Sequence, residues 1–397
     1  DLGKPGSSNV WRPEPQPPKD VQVPKETPAP SVGSRPDSGS VLAYVISPHG
    51  FGHASRACGV VEALARLRPG LRVELFTTVP PWFFELSWQG LPITFGHHPT
   101  ATDIGLMQRN SLEEDLGATV DRLDAWLPFR GATVDALARE FEGLGVSAVA
   151  CDISPLGLAA AERAGLPSFL VENFTWDWIY RGYDAPRLHR FADLLEPIFQ
   201  SADRRYQVVP FCERQSEAAV APPVARGIRR RRAEVRAELE VPEGVPMVMV
   251  TMGGVPWSYG ELEVRLEGAE GIFWVVAGGA EERRSISQGV LLPHRSALYH
   301  PDLVAASDAV LGKLGYSTVA EIARAGGRFA YVPRPHFRES AELEAWVRSH
   351  LPHRPLAGGS FEVSAWLEAL PDLLGTDRRP PCDDGAEVVA AGIDAHL

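Results

Sequence analysis

The chain has 397 residues, 44% hydrophobic and 23% charged, with a formal net charge of −12. This is the balance of a globular protein long enough for two domains, and the negative charge argues against charge-driven nucleic-acid binding without excluding a local basic groove or a nucleic-acid acceptor. Cys58, Cys151, Cys212 and Cys382 form no C-x-x-C pair, so neither zinc nor a disulfide framework is indicated and a reducing, cytoplasmic setting is the default.

Residues 1–39 are dominated by Pro, Lys, Glu, Ser and Gly, with too little apolar surface to offset the entropy of ordering, and are expected to be a disordered tail or linker. Beginning at Asp1, the chain is expected to be a fragment or a processed product, and it shows no signal peptide and no apolar run of membrane-spanning length. Residues 41–46 form an apolar run that predicts a buried strand. It breaks at Ser47-Pro48 and enters His49-Gly50-Phe51-Gly52-His53, after which Ala57, Val60, Val61, Leu64 and Leu67 have helical spacing. A glycine-bearing turn from strand to helix offers bare backbone and a helix N-terminus to an anion or polar substrate. Two histidines there can titrate near neutral pH. The spacing matches neither G-x-G-x-x-G nor a P-loop.

Strands are predicted at 71–76, 146–150 and 168–171, with helices over 120–141 and 156–164. Residues 40–222 thus read as one βα domain with a mostly parallel sheet. A break with Ala-Pro-Pro and four consecutive arginines at 221–232 precedes a second series over 223–375. Its strands are predicted at 246–251, ending in Met252-Gly253-Gly254, and at 272–276, 309–311 and 329–332. The last segment, 376–397, is expected to carry a helix that packs back near the first domain. The fold class is α/β, two Rossmann-like domains with parallel sheets facing across a cleft, the active site lying at the carboxyl ends of their strands.

The segment LGKLGYSTVAE, 311–321, reads as strand, turn and helix. Gly315 and Tyr316 open the helix. Ser317 or Thr318 can cap it, leaving backbone N–H groups for a phosphate. Glu321 reads either as an acceptor for a ribose diol or as the far half of a capping box with Thr318. Gly253 and Gly254 read as a diphosphate-holding turn or an ordinary one. Arg226 can neutralise phosphate, while Arg229–Arg232 read as a solvated face. The aromatic segment NFTWDWIY, 173–180, reads as an acceptor pocket, Trp176 foremost, or as core packing. Trp82-Phe83-Phe84 reads as a buried helix start or a greasy acceptor patch. There is no D-x-D metal motif.

HGFGHASR (49–56), CDISP (151–155), ENFTWDWIY (172–180) and YHPDLVAASDAVLGKLGYSTVAE (299–321) together resemble GT-B glycosyltransferases. The resemblance is to the N-terminal glycosyltransferase-like half of plant L-arabinokinase and, more distantly, to the bacterial N-acetylglucosaminyltransferase of peptidoglycan lipid-precursor synthesis. It spans roughly 41–350 and does not extend to arabinokinase's kinase half, for which no phosphate loop follows. The resemblance implies an inverting, metal-independent transferase that moves a sugar from a nucleotide sugar, a UDP-sugar, to an acceptor hydroxyl, with no cofactor. By position His53 matches the base that deprotonates the acceptor, and Asp152 its acidic partner. Such a carboxylate fixes the imidazole tautomer and stabilises the imidazolium. As bland alternatives, His53 is a structural histidine and Asp152 a helix cap. His49 is a reserve base or a phosphate ligand, with Gly52 beside it. Gly253, Gly254, Gly315, Tyr316, Ser317, Thr318 and Glu321 match the donor site, and Glu339 the position that holds donor-sugar hydroxyls, or else a surface glutamate. Rival readings are a nucleotide-sugar epimerase or hydrolase and a non-catalytic sugar-nucleotide-binding module. The acceptor is not indicated.

Overall fold

The computed structural model describes residues 39–110, 112–253, 266, 270–356 and 363–397. Residues 40–397 form one compact unit built on two seven-stranded sheets. The first contains β1 (Val41–Ile46), β2 (Arg72–Phe76) and β3 (Thr94–His98); a small antiparallel hairpin, β4 (Gln108–Asn110) with β5 (Glu113–Glu114), stands apart. The sheet continues with β6 (Ala148–Asp152), β7 (Ser168–Glu172), β8 (Arg204–Val208) and β9 (Ala219–Ala221). Its order is β3-β2-β1-β6-β7-β8-β9, and every pairing is parallel.

The second sheet contains β10 (Met247–Thr251), β11 (Phe273–Ala277), β12 (Arg284–Ile286), β13 (Gly289–Leu292), β14 (Ala309–Lys313), β15 (Phe329–Val332) and β16 (His353–Pro355). Its order is β12-β13-β11-β10-β14-β15-β16, parallel except for β12 on β13. Parallel sheets need both faces covered, and the strand sequences comply. The run VLAYVI of β1 and MVMVT of β10 are buried throughout, with separate apolar clusters on the two faces of each sheet.

Register places the chemistry. Ile46, the last residue of β1, lies beside Asp152, the last of β6, so the 47–53 turn emerges next to that carboxylate. In the second sheet Thr251 lies beside Gly312, which brings the Gly253 turn to Lys313. The helix Gly52–Leu67 follows the first turn, and the helix Tyr316–Ala325 follows β14.

The single helix predicted over 120–141 is two, Leu116–Trp126 and Gly131–Leu144. Pro128 falls in the gap, where its missing N–H cannot continue a helix. The helix Gly385–Asp394 lays Val389, Ala390 and Ile393 into the first sheet's outer cluster beside Val60, Val61 and Leu64. Asp394 accepts from Arg68 at 2.7 Å, and Ser40 Oγ donates to the Leu397 carbonyl.

Candidate active site

The first lobe contributes a hydrogen-bonded chain around the buried carboxylate of Asp152. His53, in the first turn of its helix, holds Nδ1 2.7 Å from Asp152 Oδ1. Arg56, one turn on, grips the same carboxylate through both sides of its fork, Nε to Oδ2 at 2.7 Å and Nη2 to Oδ1 at 2.6 Å. Arg56 Nη1 also donates to Asn173 Oδ1, and the Asn173 amide donates to the Val208 and Pro210 carbonyls at 2.7 and 2.8 Å. Burial alone would raise the Asp152 pKa, but Arg56 and His53 outweigh it and hold the carboxyl below its ordinary value. A neutral imidazole donating Nδ1–H to Asp152 carries its lone pair on Nε2. Asp152 is thereby held by His53 and Arg56 and is not a helix cap; the cap after β6 is Ser154, which accepts from Gly157 N.

His49 forms a second pair on the same lobe. Its Nε2 stands 2.9 Å from Asp103 Oδ1, in a contact too poorly aligned to count as a hydrogen bond. Asp103 Oδ2 accepts from Trp176 Nε1 at 3.0 Å, and the Trp176 ring meets the His49 ring edge-on at 5.3 Å. Phe174 and Trp176 also flank His53, with centroids at 6.1 and 6.4 Å. Trp176 is therefore buried in the first-lobe core, as the packing reading expects, and stands beside the two histidines.

The second lobe faces this with the helix Tyr316–Ala325. Its N-cap is Gly315 with no side-chain cap, which corrects the expectation that Ser317 or Thr318 caps it: the helix starts one residue before them, so both sit inside the first turn. The lobes approach closely here, a Cβ on Gly52 falling 3.8 Å from Ser317 Oγ. Glu321 makes no capping box. Its Oε1 accepts from Arg226 Nε and Nη2 at 3.0 and 2.9 Å, and its Oε2 lies 2.7 Å from His300 Nδ1. Burial would raise this carboxyl, yet Arg226 and His300 hold it down to about 2. Arg226 is committed to Glu321 and to Ser87 Oγ at 3.3 Å. The arginine run behind it pairs with Glu238, Glu234 and Asp308, as a solvated face would.

A narrow cleft of about 90 Å³ lies between the lobes, below the ~300–1,000 Å³ usual for small-molecule sites. Phe51, Trp82 and Phe83 line it from the first lobe, and Gly253, His294, Ser317, Thr318 and Glu321 from the second. Phe51 stacks on His294 with centroids at 5.3 Å, and burial lowers the His294 pKa. Phe83 and Phe84 are buried in the helix Pro81–Ser87, while Trp82 reaches the cleft. Gly253 has φ +67, the left-handed region that glycine occupies without strain; Gly254 lies outside the described residues.

Glu339 is not a surface glutamate. It is largely shielded beside Arg334, its side chain 13% exposed and Oε1 3.9 Å from Nη1; burial raises its pKa, Arg334 and Lys313 opposing. Lys313 sits between this pair and the Gly253 turn, its Cε 3.5 Å from where a Gly253 Cβ would be. Burial and the neighbouring Arg334 push the ammonium down to about 7. Arg56, His300, Lys313 and Arg334 were not identified from sequence, although all but Arg334 lie in the four motifs quoted. What was missing was the pairing: Arg56 with Asp152 is 96 residues apart and Arg226 with Glu321 is 95. Among the described residues no cluster of three or more His, Cys, Asp or Glu is placed to hold a metal, and no helix is long and apolar enough to cross a membrane.

No family model matches the chain. L-arabinokinase of Arabidopsis thaliana is 28% identical over 364 residues, covering 90% of this chain and 34% of that protein. The chain thus spans about a third of the relative's length. Among solved structures, a UDP-glucosyltransferase from Polygonum tinctorium that glucosylates indoxyl superposes with a TM-score of 0.60 at 13% identity, covering 91% of this chain and 99% of that one. UGT2 of Phytolacca americana, complexed with UDP-2-fluoro-glucose and pterostilbene, gives 0.56 at 15% identity over 90% and 94%. The calicheamicin glycosyltransferase CalG4 gives 0.57 at 16% over 91% and 94%. The chain has the GT-B fold of these transferases and resembles L-arabinokinase along nine-tenths of its length.

Proposed function

We propose that the chain is an inverting, metal-independent glycosyltransferase that moves a sugar from a UDP-sugar to an acceptor hydroxyl, without a cofactor. The observation that carries this reading is the His53–Asp152–Arg56 chain on a helix whose first residue, Gly52, approaches Ser317 at the uncapped N-terminus of the helix Tyr316–Ala325. The two halves divide the chemistry. As the acceptor oxygen bonds to the anomeric carbon and the bond to the diphosphate breaks on the opposite face, His53 Nε2 takes the hydroxyl proton and Asp152 stabilises the imidazolium. The diphosphate gathers negative charge on leaving. The Gly253 turn, the backbone N–H groups at Ser317 and Thr318 and the Lys313 ammonium meet that charge, an electrostatic task worth more than proton removal.

Glu321 would hold the ribose through its remaining lone pair on Oε2, while Arg226 and His300 fix the carboxylate's position. Phe51, Trp82 and His294 offer faces to the base, and Trp176 and Phe174 offer theirs to the acceptor. Glu339 lies by Lys313, where the transferred sugar would follow the diphosphate. The neighbours crystallised with UDP-sugars share the fold, and the reading carries their donor class to this chain. Four unpaired cysteines fit a cytoplasmic setting.

A two-part experiment tests the reading. UDP and UDP-sugars should raise the melting temperature of the native protein by mass action, and Glu321→Ala should abolish that shift. With an acceptor found by screening, His53→Ala should lose ~10²–10⁴-fold in transfer rate while keeping the UDP shift, and EDTA should leave transfer unchanged. A folded protein that ignores UDP, or a His53→Ala variant that transfers at the native rate, overturns it.

A further inference from the structure

Arginine carries two parallel donors, Nε–H and Nη2–H, on the side edge of its guanidinium, a fork that matches one planar carboxylate. Inside this protein that edge is closed wherever the arginine is buried by the site. Arg56 places it on Asp152, and Arg226 places it on Glu321. Arg334 is the exception. It is 8% exposed, and its Nε and Nη2 have no hydrogen-bond partner among the described residues. Among the described residues its carboxylate contact is through the other nitrogen, Nη1, at 3.9 Å from Glu339 Oε1, and its guanidinium is stacked on the Phe337 ring with the central carbon 3.4 Å from the centroid. The stacking fixes the plane and leaves the edge buried and unpartnered. Glu339 Oε2 is buried and unpartnered as well. Leaving several such polar atoms without partners is costly, and a ligand that supplies them would remove that cost.

The complementary ligand can be read from these atoms. The unpartnered fork asks for an oxyanion with two coplanar oxygens, and Glu339 Oε2 asks for a hydroxyl donor beside it. Lys313 already stands between this pair and the Gly253 turn and serves the diphosphate. Resting on the transferase reading above, we propose that the transferred sugar bears a carboxylate, that is, that the donor is a nucleotide uronic acid whose carboxylate sits on the Nε–Nη2 edge of Arg334 and whose hydroxyl donates to Glu339. A neutral hexose would leave the guanidinium edge facing hydroxyls alone.

The experiment compares UDP, UDP-glucose and UDP-glucuronate binding by calorimetry to the full chain and to Arg334→Gln and Arg334→Lys, each checked for an unchanged fold by circular dichroism. Native protein should bind UDP-glucuronate about tenfold or more tighter than UDP-glucose, the scale of one charge-assisted bidentate pair. Arg334→Gln should erase that preference and leave UDP affinity within about twofold. Arg334→Lys, which keeps charge but not the fork, should recover only part of it. Equal affinity for the two sugars overturns the inference and leaves the transferase reading standing. An Arg334→Gln loss that is equally large for UDP alone assigns the edge to the diphosphate and also overturns it. Failure of all three ligands to bind overturns both.

Discussion

At the scale of single residues, the site is governed by carboxylates whose charge is fixed by arginine. Glu321 is the clearest case. Its carboxyl is held from 4.5 down to about 2 when folded, so the unfolded chain takes up a proton more readily than the native one. Stability from this group is fully present above about pH 4.5 and is lost as pH falls towards about 2. A difference of this size corresponds to something on the order of 3 kcal/mol. Removing the carboxylate leaves Arg226 buried and uncompensated, which costs about 3–5 kcal/mol in comparable pairs. Urea unfolding of native and Glu321→Gln proteins from pH 7 to pH 3 should therefore show the native protein's advantage shrinking once pH falls below about 4.5. A gap that stays constant across that range would mean that the carboxylate's charge contributes nothing to folding.

Elements position these residues through close backbone approach, and two glycines let that be measured. Gly59 lies in the helix Gly52–Leu67, where an added Cβ would stand 2.6 Å from the Ala225 carbonyl oxygen and 3.2 Å from Val224 Cγ1. Alanine normally gains about 1 kcal/mol over glycine inside a helix. Here the neighbour is backbone that cannot rotate away, and overpacking costs about 1–3 kcal/mol, so Gly59→Ala should be destabilising. It should also weaken nucleotide binding, because the segment it displaces carries Arg226 to Glu321. Gly143, in the helix Gly131–Leu144, meets nothing within 4 Å, and Gly143→Ala should be stabilising by a few tenths to about 1 kcal/mol. Denaturant midpoints that move the same way in both variants would refute this account of the 52–67 helix.

The elements also show what was legible beforehand. Runs such as VLAYVI and MVMVT read as buried parallel strands because nothing in them serves a solvent face, and the strand expected at 146–150 lies two residues on, at Ala148–Asp152. The short strands β8, β12 and β16 have mixed or charged sequences, such as RRYQV and HRP, and take their conformation from the strand beside them. His53 and Asp152 were placed by motif and by strand end, and register then joined them. Arg56 and Lys313 were in view but unassigned, because an arginine or lysine in a helix or at a strand end has no period that marks it as buried. The capping expectation at Ser317 and Thr318 failed because Gly315 serves as the N-cap without any side chain.

For the molecule as a whole, the path of the chain matters more than either lobe. It builds the first sheet, crosses near Ala221–Arg226, builds the second, and returns to end on the first. The returning helix Gly385–Asp394 buries Ala386, Val389, Ala390 and Ile393 against the same helix that begins with Gly52 and His53. Full burial of one Val or Ile contributes roughly 1.5–3 kcal/mol, so removing this helix would withdraw several kcal/mol from the first lobe and bare an apolar stripe on the 52–67 helix. The Arg68–Asp394 pair, about one-third exposed on each side, adds little beside that. A chain ended after Asp383 keeps Arg324 bonded to the Cys382 carbonyl and leaves the whole second sheet intact. It should melt earlier by several degrees or more, in a transition in which the first lobe loosens. Nucleotide binding, which the proposed reading assigns mainly to second-lobe groups, should weaken less than transfer, which that reading makes dependent on His53 held on Asp152. Hydrogen exchange read by mass spectrometry would locate the change: faster exchange in 41–67 and 148–152 with 309–325 still protected is the expected pattern. Uniform loosening of both sheets would show instead that the lobes fold as one cooperative unit through the cleft.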